Sequence, residues 1–360
     1  MKKKLLFFGY TLDMGGAEKV MIDFLKILHT QYDIDVALLQ AKGALLDEVP
    51  KGIEIKQMRQ GLLSYILFRF VPFFRKRTVN KIANRKDYDV AIGFFEGRSA
   101  TWVADIKKSI RKIAWIHTDV AHFDIGISEK EIADSYSKMD SVVFVSQDAK
   151  NHFVEKYALN PDRAQVLYNI VDEESILKKA QEKVECDGRF TFINVGRMCE
   201  PKRQDRLVEI AKTLKDEGFS FKIQIIGSGD MQENIAQLID KHGVADVVEL
   251  LGMKTNPYPY IKQADCFVLT SDFEGFGIAV KEALLLGTPV ISTAVSGVKE
   301  LLADGEFGML CNIDTADVCS AMRRVLTDKT VLESYRKKAE SFNCGNKEIA
   351  DKLLNIIEKE

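Results

Sequence analysis

Short apolar runs alternate with helical segments along the whole chain, and this alternation limits the possible folds more than any other feature. Most runs are followed by a polar or glycine-bearing turn and then by a segment with helical periodicity. Strands that alternate with helices form parallel, doubly wound sheets, which bind ligands at the carboxyl ends of their strands. The fold class is therefore α/β. The predicted strands are residues 5–8, 34–39, 53–58, 90–93, 113–116, 142–145, 191–195, 223–226, 248–251, 266–269 and 290–292.

The length of the chain predicts two domains. At 360 residues the chain exceeds what one ordinary hydrophobic core can organise. Residues 168–172 end the first domain, and a charged stretch, 173–187, leads into the second. We therefore expect a first domain over residues 1–170 and a second over residues 171–344.

Charge and cysteine content exclude several classes of protein. The net charge is −2, with 28 Lys and Arg against 24 Asp and Glu in residues 1–180, and 23 against 29 in residues 181–360. This balance and the lack of a recognition motif argue against nucleic-acid binding. The six cysteines lie in the second half without CxxC spacing, which predicts reduced thiols rather than disulfides or a zinc site. Residues 2–8 are too short for a signal peptide, and no apolar run approaches the about 20 residues of a membrane span.

The stretch 272–289 carries the first candidate site. A buried strand and a polar turn are followed by the sequence Gly275-Phe276-Gly277, which is predicted to open a helix that ends near residue 286. The free N–H groups of Phe276, Gly277 and Ile278 would point out of the helix N-terminus and favour an anion. Glu274 and Glu282, with seven residues between them, suit the hydroxyls of a sugar or ribose better than a phosphate. A buried helix with an ordinary polar start is the alternative explanation.

A second candidate site follows the strand 191–195. Arg197 and Lys202 leave the strand end five residues apart, and such a pair can neutralise a diphosphate. Farther along, Gly227 opens a G-x-G turn without a third glycine, so the dinucleotide fingerprint is incomplete. This argues against a nicotinamide enzyme.

The first half offers further strand-end residues. Gly15 and Gly16 lie in a glycine-rich turn before a helix, a pattern that suits phosphate or sugar but is weak alone. His117 follows a strand directly, at the edge where ligands bind. Glu96 and Arg98 follow another strand and could face an acceptor. The pair Asp33 and Asp35 has D-x-D spacing, but it enters a strand instead of leaving one, so we do not assign it to a metal.

The segment EGFGIAVKEALLLGTPVI (274–291) resembles the Glu-x7-Glu signature of the retaining nucleotide-sugar glycosyltransferases of family four. The resemblance extends over essentially the whole chain. It implies the GT-B fold, with two Rossmann-like domains facing each other across a cleft and a C-terminal helix, 345–360, that packs back on the first domain. It also implies that the first domain binds the acceptor and the second the nucleotide-sugar donor. No metal or other cofactor is expected.

The resemblance also implies roles for individual residues. Arg197 and Lys202 match the family motif V-G-R-x4-K, which binds the leaving nucleoside diphosphate. Glu274 would hold the hydroxyls of the transferred sugar and Glu282 the ribose. His117 would contact the sugar from the opposite domain. The other residues that match donor-binding elements are Gly15, Gly16, Gly227, Met253, Gly275, Phe276, Gly277 and Ile278. A UDP-sugar is the expected donor, because UDP is the commoner carrier in bacterial polysaccharide synthesis.

Residues 59–86 differ in character from the rest of the chain. They contain eight Lys and Arg, no Asp or Glu, and five Phe and Tyr. A basic, aromatic, amphipathic segment suits an anionic membrane surface, although a helix packed on its own domain would show the same composition. Because relatives often use lipid-linked acceptors, such as undecaprenyl-diphosphate-linked glycans, we expect a cytoplasmic enzyme bound peripherally to the inner face of the cell membrane.

Two other functions remain open at this stage. UDP-sugar 2-epimerases share the expected fold, although they would lack the basic segment on the acceptor side. A non-catalytic partner subunit of a glycosyltransferase is the other possibility. Such subunits tend to lose the diphosphate and glutamate residues, whereas all four are present in this chain.

Overall fold

The structure, a computed structural model, describes residues 2–59, 68, 71–120 and 125–359. The chain divides into two units. Unit 1 comprises Met1–Ile170 and Gly345–Glu360, and unit 2 comprises Val171–Cys344. Much of the basic aromatic segment 59–86 lies outside the described residues, so only its ends can be examined.

Unit 1 is built on a parallel sheet with the strand order β3-β2-β1-β4-β5-β6-β7. The apolar runs that predicted the inner strands are buried, because helices cover a parallel sheet on both faces. The edge strand Glu54–Gln57 is largely exposed, and the other edge strand, Ala164–Val166, was not predicted. The strands are β1 Lys4–Gly9, β2 Asp33–Leu38, β3 Glu54–Gln57, β4 Val90–Gly93, β5 Arg111–Ile116, β6 Ser141–Phe144 and β7 Ala164–Val166. The described helices of this unit are Gly16–Leu28, Pro72–Ala83, Arg98–Ala104, Glu129–Tyr136, Gln147–Tyr157 and Asn346–Glu358.

Unit 2 repeats this architecture with the strand order β10-β9-β8-β11-β12-β13, again parallel throughout. Buried apolar side chains form two separate clusters within this unit. The strands are β8 Phe190–Val195, β9 Phe221–Ile226, β10 Val248–Gly252, β11 Cys266–Leu269, β12 Val290–Thr293 and β13 Met309–Cys311. The helices are Glu173–Lys179, Gln204–Asp216, Gln232–His242, Tyr258–Gln263, Ile278–Leu285, Val298–Leu301, Thr315–Thr327 and Lys329–Glu340.

Each sheet has a point where the strand order reverses. In unit 1 it lies between β1 and β4, and in unit 2 between β8 and β11. At such a switch point the chain leaves neighbouring strands in opposite directions, which opens a crevice at their carboxyl ends. The predicted α/β class, with two doubly wound parallel sheets, is therefore confirmed, and each unit has one position where a ligand site is expected.

One predicted boundary is wrong. We expected a helix to open at Gly275-Phe276-Gly277, but the helix begins at Ile278. Gly277 is the N-cap and has a left-handed backbone with φ of 82°. A residue in that conformation cannot be part of a right-handed helix, so Phe276 and Gly277 belong to the loop before it.

None of the helices in the described part of the chain has the length and apolar character that a bilayer crossing requires.

Candidate active site

Two loops of unit 2 meet at the switch point between β8 and β11. Lys202 Nζ donates to Glu274 Oε1 at 2.5 Å, and Ser271 Oγ donates to the same oxygen at 2.8 Å. Glu274 is only 8% exposed, so this carboxylate is largely shielded from water. A cation and a carboxylate therefore stand side by side, where one can bind a phosphate and the other the hydroxyls of an attached sugar.

The loop after β8 is packed closely against the loop after β9. At Gly227 the backbone has a φ of 145°, and a Cβ would lie 1.9 Å from the carbonyl oxygen of Gly196. At Gly229 a Cβ would lie 2.1 Å from the carbonyl oxygen of Met198. Only glycine permits these approaches, which fix the backbone that presents Arg197. The Arg197 side chain itself is exposed to solvent.

The loop before the helix Ile278–Leu285 packs against the segment that follows β12. Gly297 has a φ of 73°, and a Cβ there would lie 2.3 Å from the carbonyl oxygen of Gly275. Phe276 is 4% exposed and is held in the core of the unit. The backbone from Gly275 to Ile278 therefore has little freedom to move, as a preorganised binding loop requires.

Glu282, the second glutamate of the predicted pair, lies within the helix Ile278–Leu285. Its side chain is 5% exposed, and Tyr258 Oη donates to its Oε1 at 3.2 Å. Met253, directly after β10, is 58% exposed. An exposed apolar residue at a strand end is available to pack against a flat ligand.

In unit 1, His117 follows β5 and is held in one tautomer. Its Nε2 lies 2.8 Å from the carbonyl oxygen of Phe94, which can only accept, so Nε2 carries the proton. The ring lies 4.7 Å from that of Phe94 and is nearly parallel to that of Trp115 at 6.2 Å. Burial lowers the pKa of His117 to about 4. No described residue hydrogen-bonds its Nδ1, which is therefore a buried acceptor.

Glu96, which the sequence suggested could face an acceptor, is hydrogen-bonded to His117. Its Oε2 accepts the backbone N–H of His117 at 3.1 Å, and burial raises the pKa of this carboxyl more than the hydrogen bonds lower it. Arg98 is half-buried; its backbone N–H donates to Tyr10 Oη at 3.1 Å, and its guanidinium lies 3.4 Å from the carbonyl oxygen of Gly126.

The glycine-rich turn of unit 1 caps a helix directly. Gly15 is the N-cap of the helix Gly16–Leu28, and a Cβ at this position would lie 2.1 Å from the Glu18 carboxylate. The Glu18 carboxylate therefore lies against this turn, which follows β1 beside the switch point of the sheet.

The D-x-D pair in β2 is a structural feature of the first sheet. Asp35 is 1% exposed and accepts from Lys56, Tyr88 and, at 3.0 Å, Lys86. Burial alone would raise the pKa of Asp35, but these hydrogen bonds hold it below its ordinary value. In the described part of the chain no group of three His, Cys, Asp or Glu side chains could hold a metal ion.

Two family models match consecutive parts of the chain. Residues 14–175 match the model described as Glycosyltransferase Family 4, and residues 176–342 match Glycosyl transferases group 1. The chain belongs to the family-four glycosyltransferases. It is therefore a transferase enzyme of the GT-B type.

Proteins similar to this glycosyltransferase include bacterial enzymes and a solved structure. It is 26% identical to the N-acetylgalactosamine-N,N'-diacetylbacillosaminyl-diphospho-undecaprenol 4-alpha-N-acetylgalactosaminyltransferase of Campylobacter jejuni, over 94% of each chain. It is 23% identical to the capsular polysaccharide biosynthesis glycosyltransferase CapH of Staphylococcus aureus, over 93% of this chain and 92% of that one. The structure of Anabaena HepE with UDP and glucose superposes with a TM-score of 0.81, at 18% identity, over 99% of this chain and 100% of that one, which supports the fold.

The sequence did not point to several polar residues that connect the loops of the glycosyltransferase. Arg206 is 6% exposed, and its guanidinium contacts both Thr270 and Asp272. Tyr258 reaches Glu282 from a different helix. These partners are far apart in the chain, and no local pattern marks them. The burial of Arg206 in the first turn of its helix, which identifies it, is visible only in the structure.

Proposed function

We propose that this glycosyltransferase moves a hexose or N-acetylhexosamine from a nucleoside-diphosphate donor to a hydroxyl of a glycan acceptor, with retention at the anomeric carbon. The pairing of Lys202 with Glu274 at the switch point of unit 2 carries this proposal. A diphosphate linked to a sugar needs a cation and a hydrogen-bond acceptor at adjacent positions, and the two side chains are 2.5 Å apart.

In the proposed reaction the acceptor oxygen attacks C1 from the face that the diphosphate leaves. The bond from C1 to the phosphate oxygen breaks as the new glycosidic bond forms, and the leaving phosphate takes the proton of the acceptor hydroxyl. Negative charge grows on that phosphate, and Arg197, Lys202 and the amides near Ile278 would stabilise it. We therefore expect no pair of carboxylates acting as nucleophile and acid, in contrast to glycosidases, and no requirement for a metal ion.

Each unit has further candidate contacts for a ligand. Glu274 would accept hydrogen bonds from the sugar and Glu282 from the ribose, while the exposed Met253 would pack on the base. In unit 1, His117 would accept a hydrogen bond from a sugar hydroxyl at Nδ1, because its Nε2 proton is engaged with Phe94.

The relatives suggest the kind of donor and acceptor. The name of the Campylobacter relative specifies a diphospho-undecaprenol-linked acceptor, and HepE was solved with UDP and glucose. We propose a UDP-sugar as donor and a lipid-linked glycan as acceptor, in the synthesis of a cell-surface polysaccharide. Both identities rest on similarity, so they need a direct test.

Nucleotide release from a panel of UDP- and GDP-sugars tests the proposal, measured with and without a lipid-diphosphate-linked sugar. We expect acceptor-stimulated release from one donor, and its loss in Glu274→Ala. Glu233→Ala is the matched control, because Glu233 is exposed on a helix of the same unit. Consumption of UDP-GlcNAc without acceptor, with appearance of the 2-epimer, would instead establish an epimerase.

We also propose that the helix Pro72–Ala83 binds an anionic membrane surface on the cytoplasmic side. Phe73 and Phe74 at its start are 66% and 39% exposed, and Arg77 and Lys81 are exposed on the same helix. Exposed aromatic rings beside basic side chains suit the boundary between lipid headgroups and acyl chains. Not all of the positive charge is available, because Arg75 is paired with an aspartate at 2.7 Å.

Flotation with vesicles containing phosphatidylglycerol tests this surface. We expect Phe73→Ser/Phe74→Ser and Arg77→Glu/Lys81→Glu to reduce co-flotation strongly. Lys352→Glu/Lys359→Glu removes the same positive charge from exposed positions elsewhere in unit 1 and serves as the control. Equal loss in the control would mean that net charge alone governs binding and would contradict the assignment to this helix.

A further inference from the structure

A group of polar contacts joins the loop after β8, which carries Lys202, to the loop after β11, which carries Glu274. We call Arg206, Thr270 and Asp272 the loop clamp. Arg206 Nη1 donates to the carbonyl oxygen of Thr270 at 2.8 Å, and its Nη2 lies 2.7 Å from Asp272 Oδ1. One guanidinium therefore holds the second loop at two points.

The backbones of the two loops are also joined directly. The N–H of Asp272 donates to the carbonyl oxygen of Pro201 at 2.8 Å. Thr270, which is fully buried, has its hydroxyl within 3.1 Å of the Lys202 carbonyl and 2.9 Å of the Arg203 carbonyl. The residues flanking Lys202 are thus fixed to residues two to four positions before Glu274.

Arg203 adds a second cation to the same carboxylate. Its Nη1 lies 3.1 Å from Asp272 Oδ2, so each oxygen of Asp272 has its own guanidinium. Arg203 has a left-handed backbone with φ of 49°, a conformation that costs free energy in any residue except glycine. Its contacts with Asp205 and Asp272 help to hold it there.

We propose that Arg206 and Asp272 are positioning residues for sugar transfer, an inference that rests on the proposed function. Among the described contacts, no hydrogen bond or ion pair joins the side chain of Arg206 or Asp272 to that of Lys202 or Glu274. Instead, Arg206 and Asp272 fix the spacing between the loop that carries the phosphate-binding cation and the loop that carries the sugar-binding carboxylate. Without the loop clamp, Lys202 and Glu274 are still present, but the distance between them is no longer fixed. The diphosphate and the sugar are then held in the wrong relative position, which slows transfer more than it weakens nucleotide binding.

The test uses the full chain with Asp272→Asn, Arg206→Lys and the double variant. Asn keeps the shape of Asp272 but removes its charge. Lys keeps the charge of Arg206 but has a single nitrogen, so it cannot reproduce the planar fork whose two nitrogens contact Thr270 and Asp272. The control is Glu217→Gln. It removes one carboxylate that pairs with Arg323 through two hydrogen bonds of 2.6 and 2.7 Å, also in unit 2. The assays are nucleotide release from the UDP- or GDP-sugar that the wild type uses best, and calorimetric binding of UDP and GDP.

We expect kcat to fall by about tenfold to a hundredfold in either single variant, with a nucleotide Kd close to that of the control. The melting temperature should also fall, because Arg206 is buried, so both assays are run well below the unfolding transition. The double variant should lose little more than each single variant, because the two residues act as one unit. A fall in kcat no larger than that of Glu217→Gln would overturn the inference, as would a loss of nucleotide affinity in proportion to kcat. A wild type that consumes none of the nucleotide sugars would overturn the proposed function itself and this inference with it.

Discussion

His117 makes the stability of unit 1 depend on pH in a way that can be measured selectively. Burial lowers the pKa of this imidazole from its ordinary 6.5 to about 4. Between pH 6.5 and about pH 4, His117 is therefore protonated in the unfolded chain but neutral in folded unit 1. The stabilising contribution is fully present above the ordinary pKa and is lost as the pH falls toward the folded one.

The magnitude follows from the pKa difference. Acidification from about pH 7 to about pH 4.5 should cost unit 1 about 2.5 kcal/mol through His117 alone, at about 1.4 kcal/mol per pH unit. His117→Gln should remove most of this loss, because glutamine does not titrate and can still donate to the carbonyl of Phe94. The variant should therefore lose less stability on acidification than the wild type does.

Glu96 acts in the opposite direction. Burial raises the pKa of its carboxyl above the ordinary 4.5. Its contribution is present at low pH and is lost as the pH rises through the folded pKa, so the wild type gains stability from Glu96 on acidification. Glu96→Gln should lose more stability than the wild type over the same pH change.

Tryptophan fluorescence isolates unit 1, because Trp102 and Trp115 are the two tryptophans of the chain and both lie in this unit. Urea unfolding would be followed at both pH values for the wild type, the His117 and Glu96 variants, and His29→Gln as a control for the loss of a histidine in this unit. If His117→Gln and the wild type lost equal stability on acidification, the claim that burial lowers the pKa of His117 would be refuted.

Three further substitutions test the packing around the proposed sites. Gly227→Ala should destabilise unit 2 by about 1–3 kcal/mol and weaken nucleotide binding, measured by circular dichroism and calorimetry, since its Cβ would overlap a carbonyl oxygen. Lys56→Met leaves the buried Asp35 without one cation and should cost about 3 kcal/mol in tryptophan-detected unfolding; a cost near zero would contradict a buried ion pair. Tyr258→Phe should cost about 1 kcal/mol of stability and raise the Kd for UDP, because Glu282 loses a donor.

Most strands could be predicted, because burial on both faces leaves a continuous apolar run. The edge strands Ala164–Val166 and Met309–Cys311 were not predicted, since three residues are too few to show such a run. The start of the helix Ile278–Leu285 could not be predicted either, since the expected start depended on the conformation of Gly277. Glycine occupies left-handed and right-handed backbone regions with similar ease, so its identity alone does not locate a helix end.

The sequence names candidate site residues one by one, but it does not give the contacts between them. Lys202 and Glu274 are 72 positions apart, and their pairing depends on β8 lying beside β11 in the sheet. Sequence patterns indicate where a strand ends, but the strand order decides which ends are neighbours. For the same reason, the contact between Glu96 and the backbone N–H of His117 could not be read from the sequence.

Unit 1 is discontinuous, and this has a consequence for biosynthesis. Its helix Asn346–Glu358 buries Ile349, Leu353, Ile356 and Ile357, and Tyr32 Oη donates to Glu358 at 2.7 Å. Ribosomes add these residues only after all of unit 2, so unit 1 emerges first but cannot complete its packing until unit 2 has been synthesised. Unit 2, in contrast, is one uninterrupted segment that can fold as soon as it leaves the exit tunnel. A chain truncated after residue 344 would thus contain all of unit 2 but lack the helix that completes unit 1, a form that protein quality control can recognise.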